Sequence, residues 1–526
     1  MHRSSLRMWL GTALAITGLA LLCSWNSIFE FTLRKQLALS QSSPLFEIWR
    51  APPFGLVMNA FMFNLTNPHQ FFDKDFKPEF EELGPYCLTE RNEKVNVVWN
   101  DNYTVTYEIK RTFYYDEERS NGSLDDNITV LNAAPLSGSY SSRYWSLLST
   151  FPMSAAIRML GKSVLITRTF RELVLEGYED PLLTMSNVLP GMKGKGKVVD
   201  KIGLIYERNG STYFDGVLNL GTGADDINKV GTVFNWNYEN KSSKFEGECG
   251  QLYGTTAEMF PPFFSRDTPL RVFIPEVCRS VTLEYLEDTE ITGIPGYRYF
   301  MGEKNVDNGT LYPENWCSCG GECLPSGVIN ASSCLRDMPM FLSLPHFLYG
   351  DPYYREQVKG VSPPNLEKHL FHMTVEPTTG IPLDIAFRFQ INLLLRNNPK
   401  ISLYKDVPTI LFPYVWLEKR FSMPADIATL FKWVLMMPTI GICFSIVLIL
   451  LGLVILAFAV LPSSQRSKYQ DENRILQNGK ATKENLCNNQ LQLEDNELLN
   501  SETKEIIDNE EKIKEFPPDV NRTTRL

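Results

Sequence analysis

Histidine is scarce in this 526-residue chain, with five in all. So few leave little material for a histidine-ligated metal or for imidazole acid–base chemistry, and each reads as a core or strand-edge residue. The pair His369-Leu-Phe-His372 has the wrong spacing for a zinc-protease helix and lacks its glutamate. Gly161-Lys162-Ser163 ends like a phosphate loop, but Ala156 stands where that loop needs its first glycine. A Gly-x-Ser-x-Gly nucleophile elbow is also missing. With no convergent acid, base and nucleophile, the expectation is a protein that is not an enzyme and that needs no cofactor and no metal. Positive charge is not in excess either: 51 Lys and Arg face 61 Asp and Glu, a net charge of -10. That balance argues against a nucleic-acid partner. Internal repeats and low-complexity linkers are lacking between the two apolar runs described next, and 12% aromatic content excludes wholesale disorder.

Two long apolar runs are present. Met8 to Phe29 follows Arg3 and Arg7, and Val434 to Pro462 contains no ionised side chain. About 20 such residues cross a bilayer. The first run exceeds the roughly 7–15 residues of a signal-peptide core, and no small-x-small site precedes Trp25, so it reads as an uncleaved anchor. Between the runs, Asn-x-Ser/Thr acceptors begin at Asn64, Asn102, Asn121, Asn127, Asn209, Asn240, Asn308 and Asn330. Their density predicts a glycosylated ectodomain over 30–433 on the luminal or outer side, spans at 8–29 and 434–461, and cytoplasmic ends at 1–7 and 462–526. The tail is rich in Asn, Gln, Lys, Glu and Asp and reads as disordered. Within it, Glu494 followed by Leu498-Leu499 fits an acidic dileucine signal for an endosomal adaptor.

The ectodomain reads as mainly β. Lys94–Trp99, Tyr103–Ile109, Gly203–Tyr206 and Leu270–Ile274 carry β-branched and aromatic residues bounded by Asn, Gly or Pro, as do Gly380–Leu395 and Thr409–Leu417. Helical periodicity is clearest from Tyr140 to Leu160, with Trp145, Leu148, Ala156, Ile157 and Leu160 near one face, and again over Thr169–Leu175. Near that first helix lie Arg143, Arg158 and Lys162, with Lys193, Lys195 and Lys197 further on. On an acidic protein such a cluster attracts anionic ligands such as fatty-acid carboxylates or phospholipid head groups, although a solvated helix face has the same composition.

Cysteines crowd between Trp316 and Gly350. In an oxidising compartment Cys249, Cys278, Cys317, Cys319, Cys323 and Cys334 form three bridges, and the six allow fifteen pairings. The Cys-x-Cys-x3-Cys spacing also suits zinc thiolates, which the compartment disfavours. Cys87 is left over and reads as a buried thiol. Gly11 with Ala15, and Gly441 with Ser445, offer small-xxx-small contacts for helix association in the membrane, and hence for a homo-oligomer.

A set of ordered segments then resembles the class B scavenger receptor family, which spans lipid scavenger receptors, lysosomal integral membrane glycoproteins and insect sensory neuron membrane proteins. The segments are Leu83-Gly84-Pro85-Tyr86, Arg168–Leu173 with Gly177–Pro181, Phe260–Phe263, Val277–Ser280, Gly293–Arg298, Leu344–Tyr349 and Glu376–Gly380. The resemblance implies an antiparallel β-barrel ectodomain with an apical helical bundle and an internal hydrophobic tunnel, held by two transmembrane helices. It implies pairing of Cys249 with Cys317, Cys278 with Cys334 and Cys319 with Cys323, and a fatty-acid role for Lys162. The function it implies is capture of lipids, fatty acids, sterols or lipoproteins at the plasma membrane or in endosomes and lysosomes, with carriage of a protein cargo to lysosomes as the alternative.

Overall fold

The computed structural model describes residues 2–161, 163–188, 200–335 and 337–460. Its strands are β1 (Leu56–Leu65), β2 (Phe80–Asn100), β3 (Thr104–Tyr115), β4 (Asn127–Leu131), β5 (Leu165–Thr169), β6 (Val217–Gly221), β7 (Val233–Trp236), β8 (Leu270–Ile274), β9 (Arg279–Ile291), β10 (Ile294–Phe300), β11 (Ile329–Asn330), β12 (Met340–Ser343), β13 (His372–Val375), β14 (Pro382–Leu395) and β15 (Ile410–Ser422). Its helices are α1 (His2–Leu37), α2 (Pro44–Arg50), α3 (Ala133–Ser141), α4 (Leu147–Leu160), α5 (Pro181–Val188), α6 (Tyr353–Glu356), α7 (Leu366–His369) and α8 (Ala425–Val460). They form two compact units. One comprises residues 27–436, and the other joins the two ends of the chain, up to Asn26 and from Met437.

In the larger unit, antiparallel strands run in the order β7-β6-β3-β2-β1-β15-β14-β13-β10-β9-β8, and β11 and β12 add to β14. The sheet curls until its edges almost meet. Between β7 and β8 lies the short segment Gly254-Thr255, where Val233 N–H donates to Gly254 O at 2.8 Å and Phe273 N–H to Thr255 O at 2.8 Å. Gly254 has φ +83°, and a Cβ there would strike the Arg271 carbonyl, so the seam needs glycine. Closing both edges in this way removes the exposed strand pairing that promotes aggregation.

Alternation along β15 shows how the wall is packed. Val415 and Leu417 join a cluster with Met58, Ala60, Met62, Val105, Tyr107 and Leu283, which fills the barrel. Ile410, Phe412 and Trp416 turn to the other face and meet Leu136, Ala156, Ile157 and Leu182 of α3, α4 and α5. A period of two therefore builds both cores, the barrel interior and the layer under the helices. The mainly β fold is as the sequence indicates, and two local readings change. Residues 203–206 form a turn in which Ile205 is buried and a Cβ at Gly203 would meet Gly177 Cα at 2.9 Å. The helix expected from Tyr140 to Leu160 is two helices, because Ser146 caps a new start by accepting from Ser149 N–H.

The smaller unit pairs the two apolar helices, both long enough to cross a membrane. Their contact is lined by small residues: a Cβ at Gly18 would meet the Ser445 carbonyl at 2.9 Å, and one at Gly11 the Gly452 carbonyl at 2.9 Å. The helices α1 and α8 extend past the apolar runs at their inner ends in sequence, to Leu37 and back to Ala425.

Candidate functional site

The helix α4 turns Ala156 and Ile157 inward and leaves a long apolar face in solvent. Leu148 is 89% exposed and Phe151 74%, with Leu147 and Met159 comparably open. The reading that puts Leu148 near one face with Ala156 and Ile157 is corrected. At about 100° per residue Leu148 lies half a turn from Ile157, on the solvent side with Leu147, Phe151 and Met159, whereas Thr150, Ala156 and Ile157 form the buried side. No ionised side chain occurs from Leu147 to Ile157. Just before α4, Lys400 fixes the chain by donating to Trp145 O at 2.6 Å.

Of the three basic residues proposed from sequence, the structure describes Arg158 and Arg143. Arg158 is exposed in the last turn of α4. Arg143 is tied down: its guanidinium lies 3.5 Å from the Tyr140 ring centroid and its Nε 3.6 Å from Glu322 Oε2. It borders a separate cleft of about 670 Å³ with Trp145, Lys244, Trp316, Asn330 and Asp337. Lys162 lies outside the described residues, as do Lys193, Lys195, Lys197, Glu494, Leu498 and Leu499.

Among the sequons, Asn102, Asn121, Asn127, Asn209 and Asn240 are exposed. Asn64 is half-buried, and its Oδ1 accepts from Thr129 N–H. Asn308 Nδ2 donates to Leu324 O, and Asn330, 4% exposed, donates to Cys319 O at 2.9 Å. Sulfur bridges join Cys249 to Cys317, Cys278 to Cys334 and Cys319 to Cys323. Cys87 is a buried thiol whose Sγ donates to Asn59 Oδ1 or Arg119 O, each at 3.0 Å, and burial pushes its pKa up. Among the described residues, no group of three or more His, Cys, Asp or Glu is placed to hold a metal.

Sequence reading missed a charge cluster inside the barrel. Glu90 on β2, Arg111 on β3 and Lys419 on β15 occupy inward positions of the period-two pattern, where neighbours such as Leu88, Ile109 and Leu417 are apolar. Arg111 pairs with Glu90 and places Nε 2.6 Å from Asp215 Oδ2. Arg208 reaches Asp215 at 2.6 Å and Glu276 at 2.7 Å, while Lys419 reaches Glu90 at 3.0 Å and Glu276 at 3.2 Å. Three cations face three anions, so the buried cluster is formally neutral. Burial alone would raise the Glu90 pKa, but Lys419, Arg111 and Arg208 outweigh it and hold the carboxyl at about 2. Glu276 is likewise held well below the carboxylate range, against its burial, by Arg208, Lys419 and Arg111. The available signal was charged residues in phase with a core-facing alternation.

A β-barrel ectodomain in a chain with two apolar terminal helices defines a two-span membrane protein. The family profile described as the CD36 family matches residues 9–462. The chain belongs to the CD36 family. It is 37% identical over 422 residues to Protein peste of Drosophila melanogaster, covering 80% of this chain and 75% of that protein. It is 31% identical to scavenger receptor class B member 1 of Cricetulus griseus over 433 residues, covering 82% and 83%. Lysosome membrane protein 2 of Mus musculus is 28% identical over 432 residues, covering 81% and 87%.

Proposed function

We propose that this protein is a class B scavenger-type membrane receptor that docks lipid particles or lipoproteins on α4 and passes hydrophobic molecules through its barrel to the bilayer. The carrying observation is the open apolar face of Leu147, Leu148, Phe151 and Met159. An apolar row without charge, with Arg158 at its end, suits a surface of acyl chains and anionic head groups. Burying a Leu or Phe side chain contributes about 1.5–3 kcal/mol, so Leu148 and Phe151 together would supply several kcal/mol of docking energy. The transfer step requires no covalent chemistry. Lys162, beyond the end of α4, would steer fatty-acid carboxylates. Both termini would be cytoplasmic, at the plasma membrane or in endosomes and lysosomes.

The test is transfer of a fluorescent fatty acid or sterol ester from lipoprotein particles into proteoliposomes carrying the full chain. Leu148→Glu with Phe151→Glu should lower particle binding at least ten-fold while the melting temperature stays unchanged. Undiminished binding and transfer would overturn this reading. The similarity to a lysosome membrane protein supports a second one, in which the same face holds a protein cargo and Glu494, Leu498 and Leu499 engage an endosomal adaptor. For that reading, Leu498→Ala with Leu499→Ala should shift the protein out of endosomes and lysosomes toward the cell surface.

A further inference from the structure

The cleft beside Arg143 holds about 670 Å³, a volume typical of small-ligand sites. Two indoles stand on it, Trp316 at 61% exposed and Trp145 at 38%. Much of the remaining lining is polar, and its charges balance among the described residues, with Arg143 and Lys244 set against Glu246 and Asp337. Such a balance favours neither an anion nor a cation. The walls are fixed in advance. Bridges Cys249–Cys317 and Cys319–Cys323 hold the segment that follows Trp316, Ser333 Oγ donates to Lys244 O at 2.6 Å, and Asn330 Nδ2 donates to Cys319 O at 2.9 Å. Rigid walls lower the ordering cost of binding. Two buried hydroxyls on the lining, Tyr140 Oη and Ser332 Oγ, have no hydrogen-bond partner among the described residues. Buried polar groups are seldom left so.

A neutral sugar fits this lining. A pyranose ring offers apolar C–H faces and a rim of hydroxyls that each donate and accept. Indole faces pack on the former at little conformational cost, while Lys244 can donate to the latter and Asp337 accept from them. The cleft also lies among sugar acceptors. Asn330 lines it, and Asn308 precedes Gly309, where an ideal Cβ would fall 3.0 Å from Trp316 Cβ. Asn240 comes three residues before Ser243 of the lining, so at most about 11 Å of chain separates the two. Asn330 and Asn308 commit their amide nitrogens to backbone carbonyls, whereas Asn240 is exposed. A glycan carried at Asn240 would start within reach of the cleft.

We propose that this cleft is a carbohydrate-binding site, which packs the pyranose rings of a neutral oligosaccharide on Trp145 and Trp316 and takes their hydroxyls on Lys244 and Asp337. The oligosaccharide is the N-glycan of Asn240 in the same chain or one presented by another glycoprotein. In the first case the glycan covers the cleft and shields both indoles. In the second the protein has a sugar-reading face besides α4. The inference is independent of the lipid reading, which rests on the apolar face of Leu148 and Phe151 and makes no use of this cleft.

The test is saturation-transfer NMR with a free high-mannose N-glycan oligosaccharide as the probe, on the full chain from secretory cells in phosphatidylglycerol nanodiscs. Transfer to the sugar ring protons with the unaltered chain identifies a site open to another glycoprotein. Transfer that appears only with Asn240→Gln identifies a site filled by the chain's own glycan, and enzymatic deglycosylation of the unaltered chain supplies the same comparison without a variant. In either case adding Trp316→Ala should weaken the sugar signal roughly ten-fold while the melting temperature stays unchanged, since Trp316 is mostly exposed. Three results would overturn the proposal: no transfer to the sugar with any of these chains, transfer indifferent to Trp316→Ala, or transfer to free phosphocholine in place of the sugar.

Discussion

The indole of Trp25 lies over Gly441, and its Nε1 donates to Met437 O at 3.1 Å. Any side chain at 441 would run into the indole ring. In a bilayer, where apolar burial does not drive helices together, such close packing and its hydrogen bond hold the pair. An ideal Cβ at Gly452 falls 2.6 Å from Ala15 N and 2.7 Å from Gly11 O, so that position too must stay bare. Gly441→Leu should loosen the pair, read as several-fold faster amide hydrogen exchange in both apolar helices of the full chain in nanodiscs. Exchange indifferent to Gly441→Leu would show that the Trp25 contact does not set the helix pair.

The neutral cluster inside the barrel should be intolerant of single deletions. Lys419→Met leaves Glu90 and Glu276 short of a cation in a buried site, at a cost of about 3–5 kcal/mol, read as a lowered denaturant midpoint. Restoring neutrality with Lys419→Met and Glu90→Gln together should recover part of that loss. If the double variant is no more stable than the single one, the loss has another origin than unpaired charge.

Acid should act on the same cluster from a defined side. The Glu90 carboxyl is depressed from 4.5 to about 2, so the unfolded chain takes up its proton first and this stabilisation is complete only above about pH 4.5. It declines as pH falls toward 2, by about 3 kcal/mol in all. Glu90→Gln should flatten the stability curve across that window, seen by thermal melts at stepped pH.

Reduction and chelation should separate cleanly. The bridges Cys249–Cys317 and Cys278–Cys334 span 68 and 56 residues. Loops of that length restrict the unfolded chain by about 4 kcal/mol each. Cys278→Ser with Cys334→Ser should therefore lower the melting temperature markedly, whereas EDTA should leave it unchanged. A melt shifted by EDTA would point to a structural metal.

Glycan mapping tests the side on which the ectodomain lies. Asn102, Asn121, Asn127, Asn209 and Asn240 are open to a transferase product and should carry N-glycans removable by PNGase F. A chain from secretory cells that shows no mobility shift would mean that this loop is not translocated.

Features readable in the sequence were local or compositional. The two uncharged runs, the sequons and the strand alternation of β14 and β15 all appear within short windows, and ordered motifs carried the family. Failures came where neighbours in space decide. Leu148 is an exception, since phase alone puts it about half a turn round α4 from the buried Ile157 and into solvent. Arg143 is held by Tyr140 and Glu322, contacts that its place in the chain does not show.

The sequence by itself determined what surroundings each part of the chain can meet: apolar runs for the bilayer, alternating strands for a β core. Those properties follow from transfer energies and local geometry, which a short window contains. Only the tertiary structure decided that Glu90, Arg111, Arg208, Asp215, Glu276 and Lys419 neutralise one another, and that His346 stacks on His369. The charge cluster spans the curled sheet, where Glu276, just after β8, meets Arg208 and Lys419 of β15. Charge neutralisation and proton affinity depend on such distances, so they emerge only after the chain has folded.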